Sequence, residues 1–155
     1  VKVQLTTAHS LETNILLPLE TEEELQVHFV NTGVPHAVCI VQNARELPIG
    51  LIGPAVRYHS RFAPAGANTN LVQVLDKDNL YLRTYERGVE AETYACGTGA
   101  AAAALICHNL GLCSGKVNIT TSGGEKLQIY LEQGNVFLQG QARLIYQAKL
   151  YLNAL

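Results

Sequence analysis

The chain has no methionine, not even at position 1. A complete translation product starts with one, so Val1 reads as the edge of a segment cut or processed from something longer. Charge is scarce as well: Asp, Glu, Lys and Arg make up 15% of the 155 residues, and the formal net charge is −2. The charges are dispersed, which excludes a basic stripe for nucleic acid and a polybasic membrane patch. No apolar run approaches the roughly 20 residues needed to cross a bilayer. Nor does the start resemble a signal peptide, because Glu12 and Asn14 break any apolar region. Four cysteines, Cys39, Cys96, Cys107 and Cys113, lack CxxC pairing and zinc-type histidine spacing. They read as reduced thiols of a cytoplasmic protein. No repeat of useful period appears. What remains is one domain over residues 1–155, 48% hydrophobic, large enough to bury a single core and suited to a small-molecule partner.

The stretch from Thr84 to Gly111 organises that core. Between Tyr94 and Gly115 there is no Asp, Glu, Lys or Arg, and Ala100 to Ile106 is apolar at every angle. A helix apolar all round is a central one, alanine being the strongest helix former and Gly111 supplying a stop. Just before it, Cys96-Gly97-Thr98-Gly99 places a thiol, two glycines and a hydroxyl where the first helical N–H groups have no internal partner and the dipole is positive. That is an anion site, with Thr98 as the expected cap. The same field favours thiolate over thiol, which makes Cys96 a candidate base or nucleophile. Equally, Cys96 could be a small core residue and the glycines mere packing; the residues alone leave both open.

Around the helix the pattern is mostly strand. Val1 to Leu5, Leu16 to Leu19, Leu25 to Val30 and Ala37 to Gln42 read as strands, the last two flanking the turn Asn31 to His36. Thr21 to Glu24 is a polar turn or edge. Leu47 to Arg57 holds a short helix interrupted near Gly53-Pro54. Asn70 to Leu75 and Leu80 to Tyr85 form a hairpin. Lys116 to Thr121, Lys126 to Leu131, Val136 to Gln139 and Leu144 to Leu152 follow as successive strands. The expected fold is α+β: a central buried helix wrapped by a curved, mostly antiparallel sheet.

Glu86-Arg87-Gly88 and Glu92 to Ala100, together with Pro35-His36, Asn68-Thr69-Asn70 and Val72-Gln73, resemble the signature of diaminopimelate epimerase over roughly Leu25 to Ala104, in the second half of that family's chain. The resemblance implies epimerisation of LL- to meso-2,6-diaminopimelate at an α-carbon, with no pyridoxal phosphate, metal or other cofactor. Two cysteines act from opposite faces, one removing the α-proton and the other returning one, and Cys96 is one of the pair. Gly97 and Thr98 correspond to N–H donors to the α-carboxylate. Glu86 and His36 resemble groups that flank and tune the thiols, Arg87 the grip on the distal carboxylate, and Asn68 an amide contact; Glu86 also belongs to the substrate-binding set.

The second thiol belongs to a Cys-Gly-Asn-Gly-like segment of an N-terminal domain, and no such segment is present here. The resemblance therefore implies half an active site, inactive alone, and a homodimer in which Tyr146 aligns with a contact tyrosine. Two departures bear on the substrate. Val34 stands where the family has Asn before Pro-His, with Asn31 a substitute, and the loop from Arg87 to Cys96 is one residue longer than the common form. The residues also admit a proline racemase-like enzyme, a non-catalytic carboxylate-binding module, or, less well, a cysteine hydrolase using Cys96 and His36.

Overall fold

The computed structural model describes residues 1–19 and 24–149. Of the expected polar turn or edge over Thr21 to Glu24, the first three residues lie outside them and Glu24 opens a strand; residues 150–152 of the last expected strand also lie outside. Among the described residues ten strands enter one sheet: β1 Lys2–Gln4, β2 His9–Pro18, β3 Glu24–Asn31, β4 Pro35–Ile40, β5 Asn68–Asp76, β6 Asn79–Glu86, β7 Ala91–Thr93, β8 Lys116–Thr121, β9 Lys126–Glu132 and β10 Asn135–Gln139. Their spatial order is β1-β10-β9-β8-β6-β5-β4-β3-β2, with β7 hydrogen-bonded to β6. Only the β4–β5 and β6–β8 pairs are parallel. Each of these needs a crossover, and each crossover carries a helix: α1, Ile49–Arg57, between β4 and β5, and α2, Gly97–Asn109, between β6 and β8.

Both crossovers step the same way across the sheet, yet β6 runs opposite to β4, so crossovers of the usual right hand put the two helices on opposite faces. The core divides accordingly. Val38, Val72, Leu80 and Leu82 pack with α2, while their alternating neighbours Ala37, Cys39, Leu71 and Tyr81 pack with α1. Central strands buried on both faces explain why Ala37 to Ile40 in β4 and Leu71-Val72 in β5 are apolar on successive positions. Farther along, β8 to β10 curl over α2 and send in Val117, Ile119, Leu127, Ile129 and Val136, leaving Gln128 and Tyr130 outside as the period-two pattern requires. Ala100 to Ala104 are all without exposure. α2 is thus the wrapped helix.

It ends as its glycine dictates. Gly111 has φ +72°, its N–H donates to His108 O at 3.0 Å, and Leu112 N–H donates to Cys107 O at 2.8 Å, which closes a Schellman motif. No helix among the described residues is long and apolar enough to cross a membrane.

Four expectations need correction. α1 is not interrupted at Gly53-Pro54 but runs through it; the carbonyl that Pro54 cannot satisfy belongs to exposed Gly50, where water can serve it. β2 is longer than Leu16 to Leu19, extending back to His9 across bulges near Ser10 and Asn14, both with positive φ. β7 was not expected, being three residues in an acidic stretch that pairs only because β6 lies beside it. Leu144 to residue 149 form no strand: Leu144, Ile145 and Tyr146 are largely exposed, and no strand among the described residues pairs with them.

Candidate active site

The N-terminus of α2 meets the sheet where β4 and β5 begin and β6 ends. Cys96 is the N-cap, in extended backbone (φ −137°, ψ 107°), and its Sγ accepts the Gly99 N–H at 3.4 Å and lies 3.5 Å from Thr98 Oγ1. The thiol, not the expected Thr98 hydroxyl, therefore caps the helix. The Thr98 carbonyl accepts instead from Thr32 Oγ1 at 3.1 Å, which ties the helix entrance to the β3–β4 turn. Both glycines are packed against: a Cβ at Gly97 would stand 3.0 Å from Leu138 Cδ2, and one at Gly99 only 2.6 Å from Asn70 Oδ1.

The expected bias toward thiolate does not hold in this chain. Burial pushes the Cys96 thiol up, the Thr98 hydroxyl and the Gly99 N–H oppose it, and the nearby Glu86 carboxylate pushes it up further. Desolvation wins over the helix end. Even so, Cys96 differs from the other cysteines. Burial drives Cys39 and Cys107 to about 12 and Cys113 to about 11, and none of those sulfurs accepts a hydrogen bond from a described residue.

On the sheet side, two-residue alternation turns His36, Asn68, Asn70, Thr84 and Glu86 toward α2. His36 is no turn residue: it sits in β4 with no exposure. Its Nδ1 is 3.0 Å from Asn70 Nδ2, which also donates to Ala37 O at 3.1 Å, and Thr84 Oγ1 donates to Asn70 Oδ1 at 3.0 Å. Burial lowers the His36 pKa to about 4 and Arg87 adds to the effect, so the ring is neutral near pH 7. Its partner is Asn70; no hydrogen bond joins it to Cys96, and its Nε2 has no partner among the described residues.

Asn68 braces the backbone around the site. Its Oδ1 accepts from Arg87 N–H at 2.7 Å and its Nδ2 donates to Pro35 O at 3.2 Å, so the amide spends most of its capacity holding two loops. Glu86 and Arg87 are half-buried, and neither forms an ion pair with the other or with any described residue. Arg57, Arg61 and Arg83 each hold a glutamate, whereas Arg87, like Arg45 and Arg143, has no carboxylate partner among the described residues. It lines an open groove of about 520 Å³ with Asn31, Gly33, Pro35 and Phe62. The longer loop after Arg87 folds tightly, with Val89 and Glu90 N–H groups on Glu86 O and Gly88 at φ +91°. Asn31 Oδ1 is taken by Gly33 N–H at 2.9 Å.

The structure thus gathers Cys96, Gly97, Thr98, His36, Asn68, Glu86 and Arg87 at one end of α2. Sequence reasoning missed Thr84 and Thr32, and it placed Asn70 at the start of a strand without giving it a role in the site. For Asn70 the signal was there: Asn68, Asn70 and Val72 share one strand face by period two. For Thr32 there was none, since its bond to the helix is purely tertiary. No group of three or more His, Cys, Asp or Glu that could hold a metal ion occurs among the described residues. The chemistry available is proton transfer at a thiol beside an anion-receptive helix end.

A family model for diaminopimelate epimerase matches residues 28–145. The chain is 45% identical over 153 residues to the diaminopimelate epimerase of Hydrogenobaculum sp. (strain Y04AAS1), covering 97% of this chain and 55% of that protein. With the diaminopimelate epimerase of Aquifex aeolicus (strain VF5) it shares 42% over 153 residues, 97% and 54% respectively. It spans about half the length of these curated relatives. Among solved structures, a probable proline racemase from Agrobacterium radiobacter K84 superimposes with TM-score 0.71 at 12% identity, over 97% of this chain and 53% of that one. A PhzF-family phenazine biosynthesis protein of Bacillus anthracis does so at TM-score 0.58 and 12% identity, over 88% and 56%. At such identities these two speak for the fold alone.

Proposed function

Because this chain belongs to the diaminopimelate epimerase family, we propose that it carries one half of an active site interconverting LL- and meso-2,6-diaminopimelate, with Cys96 as one of two thiols acting from opposite faces of the α-carbon. The observation that carries the reading is the position of Cys96: its sulfur caps α2 beside the Gly97, Thr98 and Gly99 N–H groups. A carbanion forming next to a carboxylate is stabilised by such fixed donors.

Inversion needs an acid and a base on opposite sides of one carbon, each within reach of it. Cys96 serves one side. The other thiol comes from a second half, which matches the share of its relatives that this chain covers. A thiol raised by burial and by Glu86 is protonated at neutral pH and suits the proton-returning step; for the reverse direction, expulsion of the proton to solvent prepares the thiolate. Arg87, without a carboxylate partner among the described residues, is available to a second carboxylate on the substrate. The product would feed lysine and peptidoglycan precursor synthesis in a bacterial cytoplasm.

Val34 favours a second reading, a racemase for a smaller amino acid, since one amide facing the distal group is lacking. A substrate with a single carboxylate leaves Arg87 unanswered, and we hold diaminopimelate the better fit. The test is to incubate the full-length protein containing this chain with LL-diaminopimelate and, separately, L-proline and L-glutamate, resolving stereoisomers by chiral chromatography. Formation of the meso isomer, lost in Cys96→Ala, is the expected result. Faster racemisation of proline than of diaminopimelate would replace the reading with the second one.

A further inference from the structure

His36 has a ring orientation that its neighbours dictate. The Ala37 carbonyl can only accept, so the side-chain atom of Asn70 that faces it at 3.1 Å is the amide nitrogen. The same nitrogen faces His36 Nδ1 at 3.0 Å, and its second hydrogen is the one available there. The amide oxygen points the other way and takes the Thr84 hydroxyl hydrogen at 3.0 Å. Register puts Thr84 directly opposite Asn70 across the β5–β6 ladder, and Val38, on the far side of Ala37 from His36, opposite it across β4–β5. Gly99 closes the arrangement from the helix side. A Cβ there would meet Asn70 Oδ1 at 2.6 Å, Thr84 Oγ1 at 3.2 Å and Cys96 Sγ at 3.2 Å, so the helix backbone packs directly on this group. The same three contacts bring the thiol and the amide to one point of the helix backbone.

We propose that Asn70 is a positioning residue that keeps the ring proton of His36 on Nε2, so that His36 meets a bound ligand as a hydrogen-bond donor and not as a base. An N–H donor at Nδ1 requires a lone pair there, and a neutral ring with that lone pair carries its hydrogen on the other nitrogen. Nε2 is fully buried and has no acceptor among the described residues. Its hydrogen is therefore directed at a group that the described residues do not supply, and the ligand chemistry it selects is an acceptor oxygen, such as that of a carboxylate. The low pKa is consistent: burial is its first cause, and the Asn70 bond could raise it only if the amide oxygen faced the ring, which the Ala37 carbonyl forbids. The inference deepens the epimerase reading by assigning His36 a donor role, and it rests on that reading only for the identity of the ligand.

Imidazole 15N NMR on the full-length protein, labelled at histidine, reads the tautomer directly. The His36 signals are identified by their loss in His36→Gln. The expected spectrum at pH 7 has a non-protonated Nδ1 and a protonated Nε2. In Asn70→Ala the pin is gone and the two tautomers mix; in Thr84→Val, where the Ala37 contact remains, the wild-type tautomer persists. A proton on Nδ1, or a doubly protonated ring, in the wild-type protein overturns the proposal. So does an Asn70→Ala spectrum identical to wild type. Should Asn70→Ala fail to fold, the wild-type and Thr84→Val spectra still decide. The readout needs no turnover, so a protein that proves not to be an epimerase leaves this result standing, and a wrong tautomer leaves the epimerase reading standing.

Discussion

Acidification should destabilise this domain through His36, by an amount that its burial sets. The ring is without exposure and its folded pKa lies at about 4, against 6.5 for the free side chain. A histidine whose folded pKa is depressed gives stability that is fully present above the unfolded pKa and is lost as pH falls toward the folded one, because the unfolded chain takes up the proton first. Here that window runs from about 6.5 down to about 4. One pKa unit corresponds to about 1.4 kcal/mol, so the whole shift amounts to about 3 kcal/mol, of which about 2 kcal/mol is lost between pH 7 and pH 5. His28, lowered by burial in the same direction, adds to the loss, and a variant must separate the two. Urea unfolding midpoints of the full-length protein and of His36→Gln, each at pH 7 and pH 5, do so. Glutamine costs stability at pH 7 but removes the titration, and the gap between the two proteins should narrow by about 2 kcal/mol at pH 5. A gap that is the same at both pH values would mean that His36 is neither so buried nor so depressed, and would refute the reasoning.

Three further outcomes follow from the site. Gly99→Ala puts a methyl group 2.6 Å from the pinned Asn70 Oδ1; overpacking of this kind costs about 1–3 kcal/mol, read as a lower urea midpoint, and a midpoint equal to wild type would show that the helix end is looser than described. The Cys96 thiol is raised by burial, so its alkylation by iodoacetamide should climb with pH beyond the range of an ordinary cysteine; Thr98→Val, which removes a group opposing the rise, should move the profile higher still, and a profile centred below that of free cysteine would contradict the burial account. Arg87→Ala should raise KM for diaminopimelate by tenfold or more, since a hydrogen bond to a charged group is worth about 1.5–3 kcal/mol; an unchanged KM would take Arg87 out of substrate binding.

Much of this was legible in the chain itself. The charge-free stretch around Ala100 to Ile106 announced a wrapped helix, and Gly111 its end, because both follow from local composition. The β5–β6 hairpin and the β8 to β10 meander were readable from alternation and turn residues; Gln133 and Gly134, both at positive φ, form the kind of tight turn that Gln-Gly-Asn suggests. What could not be read was set by distance in space. β7 exists because β6 is beside it, with Glu92 on Arg83 at 2.7 Å, and α1 passes through Pro54 because the carbonyl it leaves without a helical N–H is that of exposed Gly50. At the site, the motif residues were found, but their states were not. A helix N-terminus argues for a thiolate, whereas burial of Cys96 argues for a thiol, and only the fold says which is larger. His36, likewise, depends on an amide 34 residues away.

The most direct measurement is solvent hydrogen incorporation during turnover of LL-diaminopimelate by the full-length protein in deuterium oxide, with Cys96→Ala beside it. With two thiols on opposite faces and Cys96 as one, the meso isomer formed early carries deuterium at the inverted carbon, the remaining LL isomer keeps its hydrogen, and the variant forms no meso isomer. Deuterium entering recovered LL substrate as fast as product, or meso formation undiminished in Cys96→Ala, would contradict the account.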